Sequence, residues 1–289
     1  MKYRKIYFGV SLLLIAISIF GLISWGLRLG VDFRGGAIIE YKFQEDISTE
    51  EATGVIEEGG IEVSSVSETQ DNTYLFRFPP ITQGEKESIN NALNETYGEE
   101  NVEELRYEVV GPSVGPELVQ KTIHAVAIAA AIILLWIALQ FRSLKFGASA
   151  VLAMLHDSFI LIGSFSVLGH FLGVEVDFLF VTALLTTLSF SVHDTIVVYD
   201  RIRESQGNYS NDLYELANKA VSETMVRSLN NSFTIAFMLL ALLLLGGTTV
   251  KWFASALFIG TVLGTYSSPF VAVSLLVTWG ELEKKIKDR

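Results

Sequence analysis

The sequence of 289 residues contains no cysteine, which excludes disulfides, thiolate metal sites and cysteine nucleophiles. It has no P-loop and no dinucleotide fingerprint, so nucleotide hydrolysis has no support, and serine-hydrolase chemistry is not expected either. No basic stretch studded with aromatics is present to engage phosphates, which removes nucleic acid from the candidate partners. Two His–Asp pairs, His156-Asp157 and His193-Asp194, invite a metal reading. Adjacent helical residues point apart, however, and no HExxH-like spacing exists, so neither a metal nor another cofactor is expected.

Apolar residues are what the chain has in abundance. It is 50% hydrophobic with a positive mean hydropathy of +0.42, the composition of a membrane protein. Runs long enough to span a bilayer, about 20 residues, occur six times, at 6–27, 123–141, 147–170, 176–199, 227–247 and 252–279. The first follows Lys2, Arg4 and Lys5 and resembles a signal peptide. It is too long for one and no small-residue cleavage site follows, so an uncleaved anchor is expected.

Lys and Arg in short flanks set orientation. They collect in the N-terminal tail, in the 142–146 loop (Arg142, Lys145), in the 200–226 loop (Arg201, Arg203, Lys219) and in the C-terminal tail (Lys284, Lys285, Lys287, Arg289). The short connections at 171–175 and 248–251 offer only Lys251. Both termini are therefore expected in the cytoplasm. Residues 29–122, with 20 acidic against 6 basic side chains, are expected outside. The expected division is a first transmembrane helix at 1–28, an extracytoplasmic α+β domain and linker at 29–122, a five-helix bundle at 123–279 with a cytoplasmic loop at 200–226, and a cytoplasmic tail at 280–289.

The acidic region has a readable order. Ala37–Phe43 alternates as a strand, and Thr49–Glu58 is helical between a Ser48 or Thr49 cap and a Gly59-Gly60 stop. Ile61–Glu68 and Tyr74–Phe78 are strands around a Gln70-Asp71-Asn72 turn. Gly84–Tyr97 is a second helix and Val102–Val110 a fourth strand. The order β-α-β-β-α-β suggests a ferredoxin-like split βαβ domain. Gly30-Val31-Asp32-Phe33-Arg34-Gly35-Gly36 leads into it, and its glycines permit a tight structural turn. Gly111 to Pro116 is expected to break the chain before the second long helix. Within 200–226, Leu213, Leu216, Ala217, Ala220 and Val221 recur at helical spacing. They mark either an amphipathic helix lying at the membrane interface or a helix packed on the cytoplasmic loops.

The chemistry is concentrated in a few intramembrane polar residues. Asp194 stands near the end of an apolar run, where a charged side chain costs about 2.5–3.5 kcal/mol on insertion scales and is a functional candidate by default. Thr187, Ser191 and Asp194 share a helical face. Arg227, Asn230 or Asn231, and Thr234 line a face of the next long helix at a matching depth. An Asp194–Arg227 pair reads as a static register device or as an ion-responsive switch. A nearby guanidinium favours the carboxylate, whereas burial without it favours the protonated acid. A membrane potential supplies roughly 2.3 kcal/mol per charge per 100 mV to drive such a cycle. His193 is either a proton relay or an interfacial residue. Asp157 is a second intramembrane acid, with Ser164 seven residues on, and has the same two readings. Gly260 and Gly264 are spaced for close helix packing, and Pro269 after Ser267-Ser268 can kink the helix.

Together, GVDFRGG at 30–36, VGPSVGPEL at 110–118, SVHDTIVVYDRIRE at 191–204 and GTYSSPF at 264–270 resemble the SecD–SecF family of the bacterial protein-export apparatus, within the resistance-nodulation-division superfamily. The resemblance covers essentially the whole chain, and the small acidic region is similar to that of the family's smaller subunit. It implies an accessory subunit of the Sec translocase in the bacterial cytoplasmic (inner) membrane. Such a subunit uses the proton-motive force, or sodium in some members, for late preprotein translocation. It implies a SecD-like partner, a SecYEG-type translocon, a translocating preprotein and membrane lipid as its contacts. It also implies roles in proton passage for Asp194 and Arg227. The family commonly has Asn at the place of His193 and Thr-Ser near Asn230-Asn231, which leaves the coupling ion open. Half of a solute exporter and a non-coupling scaffold are the alternative readings.

Overall fold

The computed structural model describes residues 2–70, 72–111, 114–205 and 212–287. Asp71 of the expected turn, Pro112 and Ser113 of the expected chain break, residues 206–211 of the expected loop and Arg289 of the basic tail lie outside the described residues. The chain runs α1 (Arg4–Ser24), a single turn α2 (Val31–Arg34), β1 (Gly36–Phe43), α3 (Thr49–Glu58), β2 (Ser65–Gln70), β3 (Thr73–Phe78), α4 (Gln83–Tyr97) and β4 (Val102–Val110). It continues with α5 (Val114–Phe141), α6 (Leu144–Leu172), α7 (Phe178–Ser205), α8 (Leu213–Leu245), α9 (Thr248–Ser267), a π-helical turn (Ser268–Ala272) and α10 (Val273–Lys287). Six helical stretches are long and apolar enough to cross a membrane: α1, α5, α6, α7, α8, and the rod formed by α9, the π turn and α10.

The four strands form one antiparallel sheet in the order β2-β3-β1-β4. That order is compatible with the ferredoxin-like split βαβ arrangement. Period-two alternation in β1 sends Ala37, Ile39, Tyr41 and Phe43 to one face, where they meet Phe76 and Phe78 of β3 and Ile56, Ile89 and Leu93 of the two helices. Capping boxes start both helices, Ser48 with Glu51 and Thr82 with Glu85, each satisfying two backbone donors. Tyr41 Oη donates to Asn90 Oδ1 and ties β1 to α4.

Among the long helices, α6, α7 and the α9–α10 rod are enclosed over more than half of their spans, whereas α5 and α8 are enclosed over little of theirs. Small residues set the distances. A Cβ on Gly163 of α6 would lie 2.2 Å from Ser18 Cβ of α1, so the two backbones approach closely only because that position is glycine.

Several expectations change. The second strand begins at Ser65 rather than Ile61, and Gln70 belongs to it rather than to the turn. Helix α5 begins at Val114, nine residues before the run at 123, because Pro116 falls in the first turn, where no N–H is needed. The helical stretch from Leu213 is not a separate interfacial helix. It is the first part of α8, and Leu216, Ala217 and Ala220 pack into the cluster that holds Tyr199, Ile202 and Leu276. The glycine-rich segment 30–36 contains the helical turn α2, with Gly35 and Gly36 at φ 77° and 143° bending the chain into β1.

The sheet meets the long helices at the connection between α6 and α7. Arg77 Nε of β3 lies 3.3 Å from Glu175 Oε2. Asp177 Oδ1 accepts from Phe180 N at 2.8 Å, as an N-cap does. Burial pushes the Asp177 carboxyl above the usual aspartate range, and the nearby Asp32 charge adds to this, against the lowering effect of the Phe180 N–H. A carboxyl that holds its proton to higher pH when folded contributes stability at low pH, and that stability is lost as pH rises through its folded value. The thermal midpoint of the purified protein should therefore fall as pH rises just above the ordinary aspartate range. Asp177→Asn, which keeps the cap, should flatten that part of the profile; an unchanged slope in the variant would refute this assignment.

Candidate functional site

Asp157 lies in the middle of α6, buried at 6% exposure. A carboxylate buried there needs hydrogen-bond donors from the protein to offset its desolvation. Two come from other helices. Ser191 Oγ of α7 donates to Oδ2 at 2.7 Å, and Ser267 Oγ at the end of α9 donates to the same oxygen at 2.5 Å. The third comes from the neighbouring residue, since His156 Nδ1 is 2.9 Å from Oδ1. Adjacent side chains were expected to point apart, but here they bridge the 100° between them. An ionised Asp157 can only accept, which assigns the proton of this bond to His156 Nδ1. The buried His156 Nε2 then has no partner among the described residues.

Ser191 and Ser267 reach Asp157 because α7 and α9 touch. A Cβ on Gly260 would sit 2.1 Å from Thr187 Cγ2, and one on Gly264 would sit 3.3 Å from Ser191 Cα. Positions 260, 264 and 267 follow helical spacing, so the glycine face that permits contact also carries the serine that uses it. Beyond Ser267 the helix widens into the π turn. Pro269 supplies no N–H to the carbonyl of Thr265, and such widened turns collect at functional sites. The polar seam continues from there. Ser268 Oγ donates to Ser191 O at 3.1 Å and lies 3.0 Å from Thr195 Oγ1. Tyr199 Oη lies 2.7 Å from Ser149 Oγ and donates to Ala272 O at 3.2 Å. Ser164 does not join: it turns back to Ile160 O at 2.8 Å.

Asp194 is one turn beyond Ser191 on α7 and is 8% exposed. Thr187, Ser191 and Asp194 are all buried. Unlike Asp157, Asp194 receives no hydrogen bond from the described residues. Among the described residues its one ionisable neighbour within ion-pair range is His193 Nδ1, at 3.7 Å and beyond hydrogen-bond reach. Arg227 is not joined to it. Arg227, Asn230, Asn231 and Thr234 are exposed, and the face of α8 that packs inward is instead Thr224, Ser228 and Ser232, with Ser232 Oγ accepting from Thr265 Oγ1 at 2.6 Å. His193 is also outward, its side chain 69% exposed, on a stripe of α7 with Thr182 and Ser189.

Among the described residues no three metal-ligating side chains converge. A GxSxG spacing does occur, at Gly111–Gly115, contrary to what a serine-hydrolase exclusion assumes. It joins an edge strand of an antiparallel sheet to α5, and Ser113 lies outside the described residues. His156 and His170 are engaged elsewhere, with Asp157 and with the stacked ring of Trp25.

Residues 89–282 match the family model "Protein export membrane protein SecD/SecF, C-terminal", and residues 20–47 match the "SecD/SecF GG Motif". The protein translocase subunit SecF of Thermobaculum terrenum is 42% identical over 296 residues, covering 96% of this chain and 93% of its own. That of Anaerolinea thermophila is 36% identical over 284 residues, covering 96% and 92%. The crystal structure of SecDF from Thermus thermophilus superposes with a TM-score of 0.82 at 31% identity. It covers 97% of this chain, which spans 38% of that longer one.

Removing the acid at 157 tests the node. Asp157→Ala strands two serine hydroxyls and an imidazole N–H in the interior and should cost on the order of 3 kcal/mol in stability. Asp157→Asn, which still offers an acceptor, should cost less than half of that. Thermal unfolding in detergent reads both; an alanine variant that melts with the parent would refute the node.

Proposed function

The chain belongs to the SecD/SecF family of protein-export membrane proteins, and on that premise we propose that it couples an ion gradient, the proton-motive force in the first instance, to late preprotein translocation. The family and the six long apolar helices make it a multi-pass protein of the bacterial inner membrane with a transport role rather than a catalytic one.

The observation that carries the coupling reading is the contrast between two buried carboxylates. Asp157 has its donors built in. Asp194, at a similar level of burial, has none among the described residues. As an ion Asp194 would meet its desolvation cost with only the adjacent His193 ring at 3.7 Å beside it, and either a proton or a cation brought to it removes that cost. Arg227 is a cation on the neighbouring helix α8, and no ion pair joins the two. A cycle in which Asp194 exchanges a proton for Arg227 gives α7 and α8 two arrangements, and a gradient across the membrane can bias them.

The outward polar residues support a partner. An arginine and two asparagines exposed on α8, and a histidine and a serine exposed on α7, are costly against lipid and are accommodated by another polar helix surface. The Thermus relative carries the SecF-like part within a longer SecDF chain. A SecD-like subunit is therefore the proposed occupant of that face, in a complex with a SecYEG-type translocon and the emerging preprotein. In this reading both termini are cytoplasmic and the sheet-bearing region, residues 29–122, faces outward, with the bundle at 123–279.

Asp194→Asn tests it in cells depleted of the native subunit, with membrane levels of the variant checked by immunoblot. Pulse-chase export should slow by about tenfold, equivalent to ~1.4 kcal/mol on the barrier. The residual rate should no longer respond to collapse of the proton gradient. Parent-like export that still responds to the gradient would overturn the proposal.

A further inference from the structure

The first turn of α7 has backbone N–H groups that no residue of its own helix satisfies. Phe180 N is taken by Asp177, the residue just before the helix. Phe178 N is taken from far away in sequence: it donates to Asp32 Oδ2 at 2.8 Å. Asp32 lies in α2, the single turn between α1 and the first strand of the sheet. The helix that carries Asp194 is thus capped by a residue at the root of the sheet-bearing region.

Other contacts around Asp32 fasten the same two parts. Val176 N donates to Arg28 O at 2.7 Å and Gly30 N donates to Val176 O at 2.8 Å, so residues 28–36, the strap between α1 and the sheet, pair with the α6–α7 connection as a short parallel bridge at Leu29 and Val176. A Cβ on Gly30 would lie 3.3 Å from Val176 O, which leaves little room for a larger residue. Phe33, the residue after Asp32, is buried in the cluster that contains Val174, Val176 and Phe180. Its carbonyl oxygen would lie 1.8 Å from a Cβ on Gly115, so α5 closes over it. Gly36 then turns directly under Phe78 O, 2.3 Å from where its Cβ would be. The strap is gripped on both sides, by the helices and by the sheet.

We propose that Asp32 is a positioning residue that caps α7 from the strap and so makes the sheet-bearing region and the Asp194-bearing helix move as one body. Phe178 and Asp194 are 16 residues apart, about 24 Å along a straight helix. A tilt of α7 produced at Asp194 therefore reaches the sheet through a short, bonded joint rather than through a loose linker. The negative charge suits the place, because the N-terminal end of a helix is its positive end. The proposal goes beyond the coupling reading and does not rest on which ion Asp194 takes up.

The absence of native cysteine makes the test direct, since two introduced cysteines carry the only spin labels. Leu105→Cys on β4 and Ser189→Cys on α7 are both exposed positions. In the full chain reconstituted in lipid, pulsed dipolar spectroscopy should give a narrow distance distribution between them. Asp32→Ala should widen it about twofold. Asp32→Asn, whose amide oxygen can accept the same N–H, should restore the parent width. Equal widths in parent and Asp32→Ala would overturn the proposal, as would a widened Asp32→Asn distribution. Hydrogen exchange on the unsubstituted chain gives a test that needs no variant. The Phe178 amide should be protected comparably to that of Phe180 and, in Asp32→Ala, should exchange about fivefold faster, the effect of one lost cap. An unprotected Phe178 amide in the parent would overturn the proposal even if the alanine variant failed to fold.

Discussion

A carboxylate in the interior of a membrane bundle has to be given hydrogen-bond donors by its own protein, and the arrangement of α6, α7 and α9 follows from how Asp157 is given them. Ser191 and Ser267 arrive on different helices and converge on one oxygen. They can do so only if α7 and α9 come close, which Gly260 and Gly264 permit. They also require the end of α9 to present Ser267 and Ser268 inward before the rod continues, which is where the π turn and Pro269 lie. Replacing either glycine by a larger residue would separate the donors from the acid without touching the acid itself.

Against that fixed node, Asp194 stands out as the acid left without internal donors. Ser191 serves Asp157 with its side chain, and its carbonyl accepts from Thr195, the residue after Asp194, and from Ser268 of the π turn. At its other end α7 is capped from the strap that leads into the sheet. One helix thus connects a proposed site of ion exchange in the membrane with the region proposed to face the preprotein.

Much of this was legible in the sequence for physical reasons. The order of elements in the acidic region followed from clean period-two and helical patterns between strong caps, and Thr49–Glu58 was placed to the residue, with Ser48 the cap of the two candidates. Asp157 and Asp194 were legible because a charge in an apolar run is rare and expensive. What the sequence hid was partnership. Helical wheels grouped Thr187, Ser191 and Asp194 correctly as one inward face, yet Ser191 serves Asp157 rather than Asp194. The wheel for α8 gave Arg227, Asn230 or Asn231, and Thr234 one face but could not say that Thr224, Ser228 and Ser232 are the side that turns inward. Small hydroxyls are cheap to bury because they bond back to the preceding turn, so they compete with the more conspicuous polar residues for the interior. The stretch from Leu213 was legible as a helix with a packing face, but not as the first part of α8, because an amphipathic stretch beside a long apolar one reads as a separate element. The contact from Asp32 to Phe178, 146 residues apart, has no local signature at all.

The central claim is a division of labour: Asp157 is a held acid and Asp194 an exchanging one. Infrared difference spectroscopy on the lipid-reconstituted protein, with pH stepped across the neutral and mildly acidic range, resolves carboxyl protonation directly. The account predicts that, over the background of the other carboxyls including Asp177, acidification gives a carboxyl C=O component that survives in Asp157→Asn and is lost in Asp194→Asn. A band that disappears with Asp157 and persists without Asp194 would contradict it.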